Sequence, residues 1–297
     1  MATEDVDPRF TELDAWPFAS AVEAMWDGQA SAVAAVRAAL PSITAAAEAA
    51  AAVLGESGRL VYVGAGTSGR VAVQDGAELP PTFDWPLERI VFAMAGGPGA
   101  LLASVESAED DAADGERRMS EAELGARDVV IAVAASGATP FTVAALRRAG
   151  EMGALTIGVA NNAGSPLLGE ARHPVLVETG SELLAGSTRM KAGTAQKVVL
   201  NLLSTGIMLR LGRVYRGMMV NMRPSNAKLK LRAERMVARI AGCDAAEAAG
   251  ALEVTRGDIK LATLVVLGYG LEEARSILER SGGNLRHALA SLGNGAA

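Results

Sequence analysis

The chain has 297 residues, half of them apolar, with a formal net charge of −6 and a single cysteine. This length allows one large domain or two, and the apolar content is sufficient for a sizeable core. The acidic balance argues against a nucleic-acid role that depends on a broad basic surface. Cys243 alone cannot form an internal disulfide, and its isolation is typical of a reducing cytoplasm.

The N-terminal residues and the histidines further limit the classes of protein that fit this sequence. The N-terminus lacks the basic and apolar regions of a signal peptide, and no uncharged apolar run approaches about 18 residues. We therefore expect a cytoplasmic protein without a membrane partner. The two histidines, His173 and His287, lie far apart in the sequence, so a metal cluster of histidine and cysteine is not expected.

The predicted elements alternate between helices and buried strands. Residues from about Phe18 to Leu54 are rich in alanine and contain few helix breakers, which predicts helices. Five short apolar runs are candidate strands covered on both faces. They are Leu60–Val63, Ile90–Ala93, Val129–Ala134, Leu155–Ala160 and Pro174–Val177. Helical patterns separate most of these runs, so we predict an α/β protein with a mainly parallel sheet. Ligands of such sheets bind beyond the carboxyl ends of the strands.

The first strand leads directly into a glycine-rich turn, Gly64-Ala65-Gly66-Thr67-Ser68-Gly69-Arg70. Glycines let the backbone approach a ligand closely, and the N–H groups at the following helix start favour an anion. The turn is not a Walker motif, because no lysine closes it. Its glycine spacing fits a dinucleotide fingerprint, but Asp75 and Glu78 come too early for the ribose contact. The residues therefore favour a phosphomonoester site, with a dinucleotide site and a turn without ligand as alternatives.

A second turn of this kind follows the strand Val129–Ala134 and reads Ala135-Ser136-Gly137-Ala138-Thr139-Pro140. Pro140 suits the first turn of a helix, and Thr139 is a candidate N-cap. The hydroxyl groups of the two turns could converge on one phosphate. The alternative for Ser136 and Thr139 is helix capping alone.

The C-terminal part contains an internal repeat. Residues 252–262 and 278–288 show the same pattern at an offset of 26 residues: a helix end, a glycine turn, an Asp or Asn, and the next helix. Asp258 and Asn284 are therefore predicted to be helix N-caps rather than ligand contacts. Residues from about Asp244 onward should form a small helical bundle.

Three further segments carry acidic and hydroxyl side chains. They are Asp75-Gly76-Ala77-Glu78-Leu79-Pro80-Pro81-Thr82-Phe83, Ala108-Glu109-Asp110-Asp111, and Gly186-Ser187-Thr188-Arg189-Met190-Lys191-Ala192-Gly193-Thr194-Ala195-Gln196-Lys197. From the residues alone, Glu78 caps a helix end or faces water, and Glu109 belongs to a solvated charge cluster. A long helix is predicted to start near Ser187 or Thr188 and to run to about Leu211.

Together with the first glycine turn, these segments resemble the N-acetylmuramic acid 6-phosphate etherases, a family of the sugar isomerase (SIS) domain superfamily. The resemblance runs from about Gly58 to the C-terminus and includes Asn201-Leu202-Leu203-Ser204-Thr205-Gly206. It implies an α/β fold of the SIS type, a three-layer sandwich with a mainly parallel five-stranded sheet. It also implies a helical segment over 1–54, an SIS domain over 55–225 and a small UBA/CUE-like helical domain over 226–297.

The resemblance implies a lyase that acts in the recycling of cell-wall amino sugars. The family cleaves the D-lactyl ether of N-acetylmuramic acid 6-phosphate to N-acetylglucosamine 6-phosphate and D-lactate, by elimination and then addition of water, without a metal or nucleotide cofactor. Its two catalytic glutamates correspond to Glu78, the proton donor, and Glu109, 31 positions later. This chemistry needs one carboxylate and one carboxylic acid, which exchange roles in the second half-reaction.

The same resemblance assigns residues to the substrate. The 6-phosphate would be held by the glycine turns, through Gly66, Thr67, Ser68, Ser136, Gly137 and Thr139. Glu182 and Ser187 correspond to sugar contacts. The chain departs from the family pattern at its N-terminal segment, at Gly76 in place of a serine, and at Ala138 in place of an arginine. The last change removes an anion contact that the arginine would make.

The position of Glu78 raises a geometric problem. It lies ten residues after Ser68, which corresponds to about 15 Å along an unbroken helix. Either the helix ends early, helped by Gly76, or Glu78 serves a site built across two subunits. SIS domains commonly share residues in this way, so we expect a homodimer.

Two other functions remain open from the sequence. One is a non-catalytic sensor of sugar phosphates, similar to the glucokinase regulatory protein of the same superfamily. The other is a sugar phosphate isomerase, which often uses a histidine for ring opening. His173 lies at the start of a predicted strand, opposite the loop end of the sheet, and His287 lies in the tail, so neither is well placed.

Overall fold

The structure is a computed structural model that describes residues 2–103 and 105–293. Its strands are β1 (Leu60–Gly64), β2 (Ile90–Met94), β3 (Val129–Ala134), β4 (Leu155–Ala160) and β5 (His173–Leu176). Its helices are α1 (Phe18–Leu54), α2 (Gly66–Ala77), α3 (Leu79–Phe83), α4 (Ala112–Glu121), α5 (Pro140–Glu151), α6 (Pro166–Glu170), α7 (Lys191–Arg210), α8 (Ala227–Ala241), α9 (Ala245–Val254), α10 (Ile259–Val266), α11 (Leu271–Arg280) and α12 (Leu285–Ser291). Short 3-10 helices cover Ala2–Glu4, Pro8–Phe10, Leu13–Ala15, Leu87–Arg89, Pro98–Leu101 and Ala108–Asp110.

The described chain divides into two compact units. The first contains the chain up to Ala77 and Glu88–Ile207, and the second contains Glu78–Leu87 and the chain from Met208 onward. The first unit is built on a parallel sheet with the strand order β2-β1-β3-β4-β5. This order places β1 and β3, the strands that precede the two predicted glycine turns, next to each other at the centre. Because the strands are parallel, both turns lie at the carboxyl end of the sheet.

Helices cover both faces of this sheet. On one face, Val61 and Ala132 belong to a buried cluster with Met119 of α4 and with Phe141 of α5. On the other face, the buried Tyr62 reaches Asp75 of α2, which also bonds to α7. The strands are apolar throughout because both of their faces are buried. The predicted α/β three-layer architecture is confirmed.

The helix α1 lies in one of the helical layers that cover the sheet. It packs against β3, β4 and β5, and its Gln29 accepts a hydrogen bond from Thr194 of α7. Among the described residues, α1 is the one helix whose length and composition would allow it to cross a membrane. In its most apolar stretch of 18 residues, 33% is buried inside the fold. The alanine-rich stretch is a single helix that continues through Pro41.

The predicted strands are confirmed to within one residue at each end, but the predicted start of the long helix is wrong. α7 begins at Lys191 rather than near Ser187 or Thr188. The physical reason is Glu182, whose two carboxylate oxygens accept hydrogen bonds from the backbone N–H groups of Lys191 and Ala192 at 2.8 and 2.9 Å. This cap comes from nine residues upstream and leaves no local trace in the sequence.

The second unit is helical and has its own core. Helices α8 to α12 pack around a buried cluster that also includes Tyr215, Val220 and Met222. This compact unit begins at Met208 and also includes the segment Glu78–Leu87. The predicted domain bounds, 1–54, 55–225 and 226–297, stay predictions. The UBA/CUE-like character of this unit stays a prediction.

The predicted helix repeat at the C-terminus is confirmed. Asp258 accepts a hydrogen bond from the N–H of Leu261 at 2.9 Å and caps α10, and Asn284 caps α12 in the same way. The turn before each cap has two consecutive residues with positive φ, Arg256-Gly257 in one copy and Gly282-Gly283 in the other. Both caps use local hydrogen bonds, which is why the sequence predicted them.

Candidate active site

The first glycine turn joins β1 to α2 by a very close backbone approach. A Cβ atom built on Gly64 would lie 2.9 Å from the backbone of Gly69, and one built on Gly69 would lie 2.8 Å from the carbonyl oxygen of Gly64. Gly66 opens α2 with a positive φ of 52°. The turn therefore requires glycine at these positions, and it places Thr67 and Ser68 in the first helical turn, where N–H groups favour an anion.

The second turn joins β3 to α5. Thr139 occupies the N-cap position of α5 but makes no capping hydrogen bond with its side chain, so the capping alternative is not observed for it. Its hydroxyl lies 3.5 Å from that of Ser136, which accepts a hydrogen bond from the N–H of Ala138 at 3.1 Å. Gly137 is not among the residues that line the cavity described next; its φ is 67°, and a Cβ built on it would meet Ser165. The phosphate contact assigned to Gly137 stays a prediction.

The two turns open onto one cavity of about 480 Å³ in the first unit. Its walls include Thr67 and Ser68 from the first turn and Ser136 and Thr139 from the second. The remaining lining comes from Glu4, Ala65, Gly66, Glu109, Asp110, Ala135, Ala138, Pro140, Gly186 and Thr188. No lysine or arginine of the described residues lines this cavity. An anion there would be held by hydroxyl and N–H groups, in keeping with the alanine at position 138.

Of the two predicted catalytic glutamates, Glu109 is the one that lines this cavity, where Glu4 and Asp110 also contribute carboxylates. Glu109 lies in the short helix Ala108–Asp110, is exposed to solvent, and lines the cavity together with the neighbouring Asp110. Asp111 has a different task, since its side chain accepts a hydrogen bond from the N–H of Asp114 and caps α4. The acidic segment is thus divided between the cavity and a helix cap.

Glu78 directly follows the last residue of α2. The helix does not end early at Gly76, because this glycine packs within α2 against the rings of Phe92 and Tyr62. Ala77 is nine residues beyond Ser68, which corresponds to roughly 14 Å of helix. Of the two explanations offered for the position of Glu78, the early helix end is therefore wrong.

Two further predicted residues lie outside the cavity walls. Glu182 is fully buried and uses both carboxylate oxygens to cap α7. Ser187 is half-buried, between the cavity-lining residues Gly186 and Thr188. The sugar contacts assigned to Glu182 and Ser187 stay predictions.

The N-terminal segment contributes a wall residue that sequence reasoning missed. Thr3 is fully buried: its carbonyl accepts a hydrogen bond from Gly186 at 3.1 Å, and its hydroxyl accepts one from Asn162 at 3.0 Å. These bonds place Glu4 in the cavity wall. Nothing in the sequence near Glu4 indicates this position. Thr188, by contrast, lies inside a segment that the sequence had already singled out.

The motif around Glu78 also contains a buried carboxyl group, Asp75. It accepts hydrogen bonds from Asn201 at 2.7 Å, from Tyr62 at 3.1 Å and from Ser204 at 3.2 Å. Burial raises the pKa of Asp75, partly offset by these three donors. The arrangement ties α2 and α7 to the central strand, so Asp75 has a structural role in the frame of the site.

Neither histidine belongs to the cavity. His173 is the first residue of β5, at the end of the sheet opposite the turns, and His287 is exposed on α12. Within residues 2–103 and 105–293, no group of three His, Cys, Asp or Glu side chains converges to hold a metal ion.

Comparisons with known proteins bear on the fold. Two family models match the chain: the glucokinase regulatory protein N-terminal SIS domain over residues 42–149, and the SIS domain over residues 108–205. A phosphoheptose isomerase structure from Francisella tularensis superposes with a TM-score of 0.50 and 16% identity, over 65% of this chain and 100% of that one. At this identity the likeness shows the SIS fold alone.

Sequence relatives are much closer. The chain is 50% identical over 288 residues to the N-acetylmuramic acid 6-phosphate etherase of Deinococcus radiodurans. The aligned region covers 97% of this chain and 94% of that protein. The chain is 44% identical over 290 residues to the etherase of the same name from Yersinia pestis, covering 97% and 98% of the two chains. With identity of this extent along nearly its whole length, the chain belongs to the N-acetylmuramic acid 6-phosphate etherase family.

Proposed function

We propose that this protein cleaves the D-lactyl ether of N-acetylmuramic acid 6-phosphate, releasing N-acetylglucosamine 6-phosphate and D-lactate. The observation that carries the proposal is the cavity in which Glu109 joins the hydroxyl groups of both glycine turns. A phosphate group accepts hydrogen bonds from such hydroxyls and from the N–H groups at the start of α2. The etherase names of the relatives support the substrate.

The reaction needs two proton-transfer groups. Opening of the sugar ring gives an aldehyde that acidifies the proton at C2, and a carboxylate removes this proton. A carboxylic acid protonates the lactyl oxygen as its bond to C3 breaks. Water then adds at C3 with the roles reversed, so that one water is consumed for each lactate released. We assign these tasks to Glu109 and Glu78, with Glu78 as the proton donor.

We further propose that the functional unit is a homodimer whose subunits share each site. α2 remains helical to Ala77, so the residue before Glu78 lies at the opposite end of α2 from the phosphate-binding turn. Glu78 of one subunit would then serve the cavity that contains Glu109 of the other. We place the enzyme in the cytoplasm, where it would act on amino sugars recovered from the cell wall.

The first test measures D-lactate release from N-acetylmuramic acid 6-phosphate in the presence of EDTA. Equal amounts of D-lactate and N-acetylglucosamine 6-phosphate are expected from the wild-type enzyme. Glu109→Gln and Glu78→Gln should each abolish release, since a proton-transfer step typically contributes at least about 100-fold. Glu116→Gln on α4 and Glu88→Gln are matched controls at exposed positions, and both should retain activity. Robust turnover by either catalytic variant would overturn the assignment.

The shared site is tested by mixing the two inactive variants. A dimer of one Glu78→Gln and one Glu109→Gln subunit would contain one site with both glutamates, if each site takes them from different subunits. Random reassociation should then restore about a quarter of wild-type activity, because half of the dimers are mixed and each has one intact site. If both glutamates act within one subunit, no mixture regains activity.

The sensor alternative is favoured by the match to the glucokinase regulatory protein domain. It predicts thermal stabilisation by N-acetylmuramic acid 6-phosphate or N-acetylglucosamine 6-phosphate without any release of D-lactate. That result would retain the phosphosugar site and reject the etherase.

A further inference from the structure

A second, smaller cavity adjoins the one described above. Its volume is about 210 Å³, and it shares Ala65, Gly66 and Glu109 with the larger cavity. Its other walls combine polar side chains with apolar ones, among them Met94 and Val105. We refer to it as the side pocket. Because Glu109 belongs to both walls, a substrate that reaches Glu109 from the phosphate-binding turns meets the side pocket next.

The side pocket has one basic residue among its described lining, Arg70 of α2. The Nε atom of Arg70 donates hydrogen bonds to the carbonyl oxygens of Ala100 and Leu101 at 3.1 and 3.2 Å. These two bonds hold the guanidinium group against the segment that follows β2. None of the ion pairs found within residues 2–103 and 105–293 involves Arg70. Glu106 also lines the pocket and is exposed.

We propose that the side pocket binds the lactyl group of the substrate and that Arg70 recognises its carboxylate. The inference rests on the proposed function. The lactyl group is attached at C3, next to the C2 proton, so it lies beside whichever residue acts at these carbons. It has a carboxylate and a methyl group, which match a guanidinium and an apolar wall. The neighbouring acetamido group at C2 is uncharged and does not require a cation.

This assignment makes Arg70 a specificity-determining residue. The larger cavity contains no basic side chain of the described residues and binds its anion through hydroxyl and N–H groups. A guanidinium group binds a carboxylate with two parallel hydrogen bonds, which a lysine cannot reproduce. Arg70 therefore distinguishes the substrate, which carries the lactyl carboxylate, from the product N-acetylglucosamine 6-phosphate, which does not.

The test compares Arg70→Gln and Arg70→Lys with the wild-type enzyme and with Arg37→Gln, a control at an exposed position of α1. Three quantities are measured: the KM for N-acetylmuramic acid 6-phosphate, the inhibition constant of N-acetylglucosamine 6-phosphate, and the KM for the substrate analogue whose lactyl carboxylate is a carboxamide. We expect Arg70→Gln to raise the KM for the acid roughly 10- to 100-fold. The inhibition constant of the product should stay within about twofold, and Arg70→Lys should be intermediate.

The analogue provides the decisive comparison. The wild-type enzyme should prefer the acid over the carboxamide by at least about tenfold, and Arg70→Gln should lose this preference. If the preference persists, or if the KM and the product inhibition constant rise together, Arg70 does not recognise the carboxylate. If the wild-type enzyme releases no D-lactate, the proposed function fails. Calorimetric binding of the acid and the carboxamide to wild type and Arg70→Gln then still tests the side pocket separately.

Discussion

The side-chain amide of Asn162 donates a hydrogen bond of 3.0 Å to the hydroxyl of Thr3, which is 159 residues earlier in the chain. Both residues are buried, and Asn162 also donates to the carbonyl of Ala135 at the base of the second turn. The N-terminal segment is thus fastened to the same loop that presents Ser136. Through this bond Glu4 becomes part of the cavity wall.

We expect Thr3→Val to raise the KM for the phosphosugar by about 2- to 10-fold, with little change in kcat. The valine keeps the shape of the side chain but removes one buried hydrogen bond, which is worth about 0.5–1.5 kcal/mol. The N-terminal segment then encloses the cavity less firmly. Thr11→Val is the control, because Thr11 lies in the same segment but is exposed. Equal effects of the two substitutions on the KM would show that the hydrogen bond between Thr3 and Asn162 does not contribute to substrate binding.

Thr139→Val should raise the KM about 10-fold or more, since a hydrogen bond to a charged group is worth about 1.5–3 kcal/mol. The Thr139 side chain makes no capping bond, so its loss should leave the thermal stability almost unchanged. Thr142→Val on α5 is matched in chemistry, but Thr142 is fully buried and does not line the cavity. Steady-state kinetics and thermal denaturation of both variants separate phosphate binding from a structural role. A lower Tm in Thr139→Val alone would support the alternative interpretation, in which Thr139 caps α5.

Gly137→Ala should disrupt the second turn. The φ of Gly137 is 67°, and an added Cβ would lie 2.1 Å from the hydroxyl oxygen of the buried Ser165. Gly164 has a φ of 66° with nothing within 4 Å, so Gly164→Ala has the same backbone cost without the clash. We expect about 1 kcal/mol of destabilisation for Gly164→Ala and a further 1–3 kcal/mol for Gly137→Ala. Chemical denaturation measures both, and equal losses would mean that Ser165 moves aside without cost.

We expect the buried Lys260 to make the stability of the second unit depend on pH. The residue is 7% exposed, and its Nζ donates a hydrogen bond of 2.5 Å to the carbonyl of Gly283. Burial and the nearby Arg213 lower the pKa of Lys260 from 10.5 to about 8. Between these two pH values the unfolded chain binds the proton more tightly, so the free energy of unfolding should increase as the pH rises from 8 toward 10.5.

The measurement compares the wild-type protein with Lys260→Met by chemical denaturation across this pH range. The increase contributed by Lys260 should be of the order of 3 kcal/mol or less, and the methionine variant should lack it. Lys228→Met, at an exposed position of α8, should behave like the wild type. An unchanged pH dependence in Lys260→Met would show that Lys260 retains its ordinary affinity for the proton in the fold.

Local patterns predicted much of the fold correctly. The five strands follow from continuous apolar runs, and Asp258 and Asn284 cap helices through bonds to residues two or three positions away. The first glycine turn was recognisable because Gly64 and Gly69 lie in backbone contact, a packing that excludes a side chain at either position. In each case the energetic cause lies within a few residues of the pattern.

Long-range contacts could not be predicted in this way. Glu182 delays the start of α7 by capping it from nine residues upstream, and Tyr215 joins the core of the second unit. The role of Glu109 was ambiguous because an acidic cluster on a surface and one beside a cavity have the same local sequence. Only the fact that Glu109 lines the same cavity as Gly66 and Thr67 distinguishes the two cases.

By itself, the sequence determined the element types, the two glycine turns and, through their resemblance to a family, the two candidate glutamates. Backbone preferences, helix caps and strand burial act locally, so they can be recognised in the sequence. The tertiary structure alone decided which side chains share a cavity. It added Glu4 to the larger cavity, showed that Glu182 caps α7, and placed Arg70 and Glu109 in the wall of the same side pocket. These relations depend on packing between segments distant in the chain, which no local pattern encodes.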